Sequence, residues 1–374
     1  MKNIFKLLAF LPLLTACDDL FEPALENNRD LEAMYKEPSY AQGILANAYI
    51  ILPYETSPTS DLATDDAVTN EISSNYLRMA TGSWTANNNP VSQWQNRFNA
   101  IQYINLFLEN VDKVEWAKDE RISTMFLDRL KGEAYGLRAL HMYYLLRAHG
   151  GKIADGTLMG VPIILKSEGP DADFNHARAT YSDCVKQIME DADKAIELLP
   201  LDYKKFADSE IPEKYKNIGV TNASDYRRVC GEEYRGLMSG RIALAVRAQT
   251  ALLAASPAFQ SGSGMTWEQA ADYAAEIIEK ANGGGGCGLD ADGLEWYTLA
   301  DKDYGTGGSP AEVIWRSSTD DNNTLETANF PPSLYGNGRV NPTQNLVDAF
   351  PMANGYPISE TSGNYDAENP YDNL

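Results

Sequence analysis

Cys17 is the first residue of this sequence whose chemistry and neighbours point to a definite reaction. Lys2 and Lys6 give a positively charged start, and a short apolar run from Leu7 to Leu14 follows them. The run has about half of the roughly 20 apolar residues that a membrane-spanning helix needs. A basic start, a short apolar core and then small residues are typical of a secretion signal that is cleaved.

The end of this run, Leu14-Thr15-Ala16-Cys17, resembles a bacterial lipobox, in which the cysteine sulfur is diacylated and the cysteine becomes the mature N-terminus. The thiol is the one nucleophile in the stretch that can carry a thioether-linked lipid. Acyl chains contribute about 0.8 kcal/mol per buried CH₂, so two or three of them anchor a protein firmly. We therefore predict a lipoprotein signal peptide at residues 1–16 and a lipid anchor on Cys17. An ordinary secretory signal that contains a cysteine is the alternative.

Residues capable of acid–base or nucleophilic catalysis form no recognisable motif. The chain has three histidines and no HExxH, GxSxG or Walker sequence. His141 lies on the apolar stripe of a predicted helix, which indicates a core histidine. His149 lies at the C-terminal end of the same helix, where an imidazolium would favour the helix dipole. His176 lies in a loop beside Arg178, with no evident nucleophile. We predict that the protein is not an enzyme.

Candidate metal ligands are equally sparse. Asp290-Ala291-Asp292 and Asp320-Asp321-Asn322 could coordinate calcium through oxygen, but they lack the spacing of a complete calcium loop. We interpret them as solvated turn residues and predict no cofactor. Cys184, Cys230 and Cys287 are widely spaced and contain no CxxC pair, so they indicate small core residues rather than a disulfide framework. Any pairing among these three is left open by the sequence.

The composition excludes one class of partner. The 374 residues carry a formal charge of −22, and removing residues 1–16 with their two lysines makes it −24. Such an acidic body is repelled by phosphate backbones, so we expect no nucleic-acid partner. An apolar content of 44% is enough for a substantial core. The length suits one large domain or two.

The elements that must position any site are predicted to be helices, because apolar residues recur every three or four positions in five long segments. The first starts at Trp94, and the second stops at Gly150-Gly151, where glycine would form a left-handed cap. The third opens at Thr180 and ends before Pro200. The expected buried stripes of these three helices are Phe98, Ile101, Ile104, Leu108 and Val111; Leu127, Leu130, Ala134, Leu137, His141, Tyr144 and Ala148; and Tyr181, Cys184, Ile188, Ala192, Ala195 and Leu199.

Two further helices complete the pattern. One runs from about Ser239 to Ser256 and is rich in alanine. The other begins at the capping box Thr266-Trp267-Glu268-Gln269. Its expected buried residues are Ala270, Ala274, Ile277 and Ala281. Paired helices separated by long inserts predict a mainly α fold, an irregular tetratricopeptide-type repeat without the strict 34-residue period of that motif.

Three long inserts interrupt the helices, at residues 53–93, 201–236 and 283–345, and are rich in Gly, Pro, Asn, Asp and Tyr. Inserts of that length in a compact protein are usually functional. The sequence predicts one short strand, around Glu312-Val313-Ile314-Trp315. A helical scaffold that carries long aromatic loops is the plan of a binding protein.

Seven segments in order resemble the SusD/RagB family of lipoproteins across nearly the whole chain. They are Cys17 with Leu20 and Pro23, "AQGILANAYIIL" at 41–52, "SQWQNRFNAIQYINLFLENV" at 92–111, "GEAYGLRALHMYYLLRAHGG" at 132–151, "GRIALAVRAQTALLAASPAF" at 240–259, "EVIW" at 312–315 and "NPTQNLVDAFPMANGYPI" at 341–358. The resemblance implies a SusD-like helical domain over residues 17–374. The final "NPYDNL" looks like the approach to a family sequence that does not follow. We therefore expect that the C-terminal part of the family pattern is missing, in a fragment or an unusually short protein.

The resemblance also implies a place and a role. Members of this family sit on the outer-membrane surface of Bacteroidetes as a lid on a SusC-like TonB-dependent transporter and capture glycans, or in some cases peptides. Asp18 and Asp19 behind the cysteine then resemble a surface-export signal. The implied function is non-catalytic capture of an oligo- or polysaccharide for nutrient uptake and its delivery to the transporter. The alternative is a tetratricopeptide scaffold or a peptide-binding surface lipoprotein, whose recognition residues would lie on the concave face of the helices.

Sugars need two kinds of protein group, aromatic rings for their C–H faces and planar amides or guanidinium groups for their hydroxyls. The first insert supplies Arg78, Trp84 and Asn87 within ten residues. Similar positions in the corresponding insert bind sugar in the starch-binding member of the family. We predict that Trp296, Tyr297 and Tyr304, in a later insert, form the wall of the site opposite Trp84. Tyr335 is a further aromatic residue of that insert. The alternative is that Trp84 plugs its loop onto the helices.

Overall fold

The computed structural model describes residues 32–53, 60–85, 87–281, 289, 312–317, 322–360 and 365–369. Helices dominate these residues, which confirms the mainly α prediction. The α-helices are α1 (Ala33–Lys36), α2 (Pro38–Ile50), α3 (Asn75–Ala80), α4 (Trp94–Asn110), α5 (Glu120–His149), α6 (Tyr181–Leu198), α7 (Glu213–Lys216), α8 (Ala223–Cys230), α9 (Gly240–Ala255), α10 (Gln260–Ser263), α11 (Trp267–Ala281), α12 (Thr324–Asn329) and α13 (Gln344–Ala349). The strands are β1 (Ala67–Thr69), β2 (Gly151–Lys152), β3 (Leu158–Met159) and β4 (Val340–Pro342).

The long helices form a consecutive array in which each helix packs against the next one along the chain. The packed pairs are α2 with α4, α4 with α5, α5 with α6, α6 with α9, and α9 with α11. One hydrophobic core runs through all of them. Stacking of successive helices on their neighbours is the plan of a helical repeat protein. Among the described residues, no helix combines the length and apolar composition needed to cross a bilayer.

Local sequence signals placed most helix ends correctly. The Thr180 hydroxyl accepts the Asp183 backbone N–H at 3.0 Å at the start of α6. At the start of α11, Thr266 and Gln269 form a complete capping box, with distances of 2.9 and 3.2 Å. Ser239 caps α9 in the same way. Each cap satisfies a backbone donor that the first turn of a helix would otherwise leave free.

The predicted left-handed cap at the end of α5 is wrong, although the helix does end at His149. Gly150 has φ −75° and ψ 151°, an extended conformation open to any residue. Glycine is needed there for space, because a Cβ at this position would lie 2.6 Å from the Leu146 carbonyl oxygen and 3.0 Å from the Tyr181 ring. The glycine reflects crowding at the end of α5, first by Leu146 of the same helix and then by Tyr181 of α6, rather than a positive φ.

Two other sequence predictions need correction. In α11, Ala270 is buried but Ala274 is exposed. Tyr273, one residue earlier, packs against the core, so the buried face of the helix passes through Tyr273 rather than Ala274. The predicted strand at residues 312–315 has no regular secondary structure. Ile314 and Trp315 both pack against the helical core, and the Trp315 indole donates to the Gly236 carbonyl at 2.8 Å. Burial of neighbouring residues, and not the alternation of a strand, explains that apolar run.

His141 is a core histidine, as predicted. Its Nδ1 lies 3.0 Å from Arg97 Nη1, and its Nε2 lies 3.1 Å from the Ala48 carbonyl oxygen. Arg97 must donate, so Nδ1 accepts and Nε2 carries the proton. Burial, together with the Arg97 charge, lowers the pKa of His141 to about 3. The ring is therefore neutral and links α2, α4 and α5.

A buried ion pair ties three helices of the array together. Arg138 on α5 donates to both carboxylate oxygens of Asp191 on α6, at 2.7 and 2.8 Å. Its remaining terminal nitrogen, Nη1, donates to Asn105 Oδ1 on α4 at 3.0 Å. The Arg138 and Asp191 side chains are almost fully buried. Fixed distances and planar geometry at this point set the spacing of α4, α5 and α6.

The described cysteines are buried core residues, as the sequence indicated. Cys184 and Cys230 are free thiols. Burial raises the pKa of the Cys230 thiol to about 12, so it stays protonated. Cys287 lies outside the described residues.

Candidate ligand-binding site

Arg78 lies in the last turn of the short helix α3, inside the first insert. Ser74 caps this helix by accepting the Leu77 backbone N–H. The Arg78 side chain is partly buried, and within the described residues its guanidinium has no hydrogen-bond or ion-pair partner. A guanidinium held at the end of a helix with its donors free is suited to receive hydroxyl or carboxylate oxygens of a ligand.

Trp84 lies in the turn that follows α3. The turn begins at Gly82, whose φ of +67° glycine adopts readily. The Ser83 backbone N–H donates to the Arg78 carbonyl at 3.0 Å on one side of Trp84. On the other side, Thr85 and Asn88 exchange backbone hydrogen bonds of 3.3 and 3.0 Å. These bonds fix the backbone directly before and after the tryptophan.

The Trp84 side chain is 48% exposed. Asn87 is exposed in the same turn. Within the described residues, neither the indole N–H nor the Asn87 amide has a hydrogen-bond partner. The structure therefore places Arg78 at the end of α3 and Trp84 and Asn87 on the turn that follows it, with the indole and the Asn87 amide exposed.

Two segments of the first insert, strand β1 and the residues before α4, are attached to other parts of the chain. At its end, the backbone N–H of Gln93 donates to His149 Nε2 at 3.0 Å. That bond needs an unprotonated nitrogen, and burial together with Arg178 lowers the pKa of His149. The predicted imidazolium at the end of α5 is therefore wrong. The His149 ring is neutral and accepts the Gln93 backbone N–H directly before α4.

Before α3, the first insert pairs with a distant segment. Strand β1 is antiparallel to β4, with Ala67 opposite Pro342 and Thr69 opposite Val340. Beyond the strands, Asn70 Nδ2 donates to the Asn337 carbonyl at 3.0 Å. Arg339 and Glu71 form an ion pair there, with Nη1 3.4 Å from Oε1. Sequence reasoning missed this two-stranded sheet. Three-residue strands so far apart in the chain carry no local signal that could have revealed it.

The second insert, residues 201–236, is packed rather than open. Its tyrosines Tyr203, Tyr215 and Tyr226 are buried. The last two form a small second core with Ile122 and Met125 of α5. An open depression of about 320 Å³ lies on its surface, between Lys205, Arg227, Arg228 and Ser224 on one hand and Glu232 and Glu233 on the other. Lys205 pairs with Glu232 at 3.2 Å, so this surface offers neither an exposed ring nor a single sign of charge.

The remaining predicted site residues, Trp296, Tyr297 and Tyr304, lie outside the described residues, as does Cys17. So do Asp290-Ala291-Asp292 and both aspartates of Asp320-Asp321-Asn322. Within the part of the chain that the structure describes, no group of three or more His, Cys, Asp or Glu residues could hold a metal ion.

Known structures share this architecture. A SusD-like protein from Bacteroides fragilis aligns with a TM-score of 0.63 and 18% identity, over 94% of this chain and 61% of that one. A SusD superfamily protein from Bacteroides vulgatus aligns with a TM-score of 0.57 and 19% identity, over 84% and 62%. A SusD-like carbohydrate binding protein from Bacteroides fragilis aligns with a TM-score of 0.58 and 18% identity, over 91% and 58%. At such identities these likenesses show the fold, a SusD-like helical array. This chain spans about six-tenths of the length of those proteins.

The sequence itself gives the family. The family model SusD-like, described as starch-binding associating with outer membrane, matches residues 25–214, which is half of the chain. The chain belongs to this SusD-like family. The comparison with curated proteins gives no match.

Proposed function

We propose that this protein is a cell-surface lipoprotein that captures glycans and delivers them, without cleaving them, to a SusC-like TonB-dependent transporter. The observation that carries the proposal is the end of α3 and the turn after it, where Trp84 is half exposed and the side chains of Arg78 and Asn87 have no partner among the described residues. Membership of a family described as starch-binding supports the choice of a glycan as ligand.

The proposed binding mode follows from the three side chains. The C–H face of one sugar unit packs on the exposed face of the Trp84 indole, which gains contact area at little cost in side-chain entropy. The Arg78 guanidinium and the Asn87 amide hydrogen-bond the hydroxyls at the edge of the ring. None of these groups is a general acid or base near neutral pH. We therefore expect purified protein to release no reducing ends from a glycan that it binds.

Trp84→Ala is expected to weaken glycan binding by about 1 to 3 kcal/mol, as truncation of an aromatic anchor does at other interfaces. Its melting temperature should barely change, because a half-exposed ring on a turn adds little to the core. Native gels cast with soluble starch, β-glucan, xylan or mannan first identify the polysaccharide that retards the wild-type protein. Isothermal titration with that polysaccharide then measures the affinity of both proteins.

The matched control is Trp267→Ala. Trp267 is 49% exposed, like Trp84, but lies at the start of α11, on the helical array. The Trp267→Ala variant should therefore bind the polysaccharide with unchanged affinity. If Trp84→Ala kept full affinity and lost much of its thermal stability, Trp84 would be the structural plug that the sequence left as an alternative.

The proposed location rests on the residues before the helical array. The lipobox predicts two or three acyl chains on Cys17, and Asp18 and Asp19 resemble a surface-export signal. A lipid tether suits a protein that must close over a transporter and reopen, because it keeps the protein in the plane of the membrane without fixing its orientation. The association of the family with the outer membrane supports this arrangement.

Cys17→Ala is expected to abolish membrane attachment, because its sulfur is the one lipid site proposed. The measurement is metabolic labelling with an alkyne fatty acid in a Bacteroidetes host, followed by fractionation. Cys184→Ala is the control, since that thiol is buried against Val161 and should not affect labelling. Undiminished label in Cys17→Ala would contradict the lipoprotein assignment. Co-purification of the wild-type protein with the transporter from the same membranes tests the proposed partner.

A further inference from the structure

Arg97 differs from the other buried arginines of the array, because no negatively charged side chain among the described residues lies beside it. Four arginine side chains in the described part of the chain are almost completely buried. Three of them lie against a carboxylate, with nitrogen–oxygen distances of 3.4, 2.7 and 2.7 Å in the pairs Arg129–Glu133, Arg138–Asp191 and Arg241–Asp202. Arg97, which is 2% exposed, is the fourth and forms no ion pair with any described residue.

The hydrogen bond that Arg97 makes is to a neutral group. Its Nη1 donates to His141 Nδ1 at 3.0 Å, and the ring proton lies on Nε2, which donates to the Ala48 carbonyl at 3.1 Å. Arg97 Nε is enclosed and has no hydrogen-bond partner among the described residues. Burial lowers the pKa of Arg97, but arginine keeps its proton in proteins. A full positive charge and a free donor are therefore buried here together.

Three kinds of group could compensate Arg97. The first is the C-terminal end of α2 at Ile50, but a helix end carries only about half a negative charge. The second is a water molecule, which would accept a hydrogen bond from Nε and leave the charge uncompensated. The third is an anion, which meets both needs. Because a buried unpaired charge is far more costly than a buried unpaired donor, the anion is the best match.

We propose that Arg97 holds a small inorganic anion of the size of chloride where α2, α4 and α5 meet. Burial of the guanidinium restricts the occupant to a small ion. Tyr144 on α5 supplies a second donor, since its hydroxyl has no hydrogen-bond partner among the described residues and is close enough to affect the pKa of Arg97.

The position of this ion gives it a structural role. Helix α2 ends just before the first insert, and α4 begins just after it. An anion bound between these two helices and α5 therefore fastens both ends of the insert to the array. We infer that chloride stabilises the folded protein and, with it, the base of the first insert.

Thermal unfolding in sodium gluconate, with gluconate replaced stepwise by chloride or bromide, tests the proposal. Constant ionic strength keeps charge screening the same throughout, and gluconate is too large for the site. We expect the melting temperature of the wild type to rise by about 2–4 °C and then to level off, as it does when a ligand saturates one site on the folded state.

Three variants separate this site from other effects of anions. Arg97→Met should lose the response to chloride and should be at least as stable as the wild type in gluconate, because it removes the unpaired charge. Tyr144→Phe should need several-fold more chloride for the same rise. The control is Arg121→Met, which removes an exposed arginine paired with Asp119 and should respond to chloride like the wild type.

A wild-type melting temperature that does not respond to chloride or bromide would overturn the proposal, and the end of α2 or a water molecule would then suffice for Arg97. Equal responses of the wild type and Arg97→Met would overturn it as well. If Arg97→Met did not fold, wild-type crystals grown in sodium bromide would decide. Anomalous scattering should locate bromide within hydrogen-bond distance of the Arg97 nitrogens, and its absence there would contradict the site.

Discussion

Arg138→Ala is expected to lower the free energy of unfolding by about 3–5 kcal/mol, the usual cost of removing one partner of a buried ion pair. The variant leaves the Asp191 carboxylate with no exposed surface and without its two charge-assisted hydrogen bonds. Lys194, whose Nζ lies 3.9 Å from Asp191 Oδ1, could replace part of the lost interaction. Urea denaturation at neutral pH measures the change.

Two comparisons separate the buried pair from charge effects in general. On the exposed side of α6, the helix that carries Asp191, Lys186 pairs with Glu190 at 3.9 Å. Lys186→Ala should therefore lower the free energy of unfolding by less than about 1 kcal/mol. The double variant Arg138→Met with Asp191→Leu removes both charges and should be more stable than Arg138→Ala, because no charge is left buried. If Arg138→Ala were no more destabilising than Lys186→Ala, the proposed role of this pair in joining α4, α5 and α6 would be wrong.

His141 should make the stability of the protein depend on pH. Its pKa is about 3 in the folded protein and about 6.5 in an unfolded chain, so the unfolded state binds the proton first as the pH falls. The stabilisation is complete above about pH 6.5 and is lost as the pH falls from there towards 3. One proton corresponds to about 1.4 kcal/mol per pH unit, so the loss should reach roughly 2–3 kcal/mol by pH 4.5.

His141→Gln tests this prediction, because glutamine does not titrate. The variant should be less stable than the wild type at pH 7.5, since it disturbs the hydrogen bonds to Arg97 and Ala48. The difference between the two proteins should shrink as the pH is lowered to 4.5. Glu133, whose pKa is raised by burial, contributes an opposite pH dependence that both proteins share, so it cancels in the difference. Parallel stability curves for the two proteins would contradict the prediction.

The sequence predicted the helical array well because its signals are local. Buried stripes repeat within a few turns, and caps such as Thr180 and Thr266 act on backbone groups three residues away. Predictions failed where tertiary packing decided the outcome. Gly150 was explained by a positive φ, but it is required by the close approach of Leu146 and Tyr181. The apolar run at 312–315 packs on the core without forming a strand.

The candidate site could be predicted in part. Residue types in the first insert identified Arg78, Trp84 and Asn87, and the structure places them at the end of α3 and on the turn that follows it. Their role stays a prediction. Residue types could not distinguish this insert from the second one, which has more aromatic residues but buries Tyr203, Tyr215 and Tyr226.

The pairing of β1 with β4 also sets an order of folding. Asn70 and Asn337 are 267 residues apart, and closing a flexible loop of that length costs about 5 kcal/mol of chain entropy. Two three-residue strands cannot supply that free energy by themselves. The helices between them must first bring the strands together, because a folded array shortens the loop to the span of its own ends. During synthesis from the N-terminus, the helices can assemble from local contacts. Strand β1 of the first insert stays unpaired until β4 has been synthesised. The surface proposed to bind glycan would then be completed last, and it would be the first to open when the folded protein is perturbed.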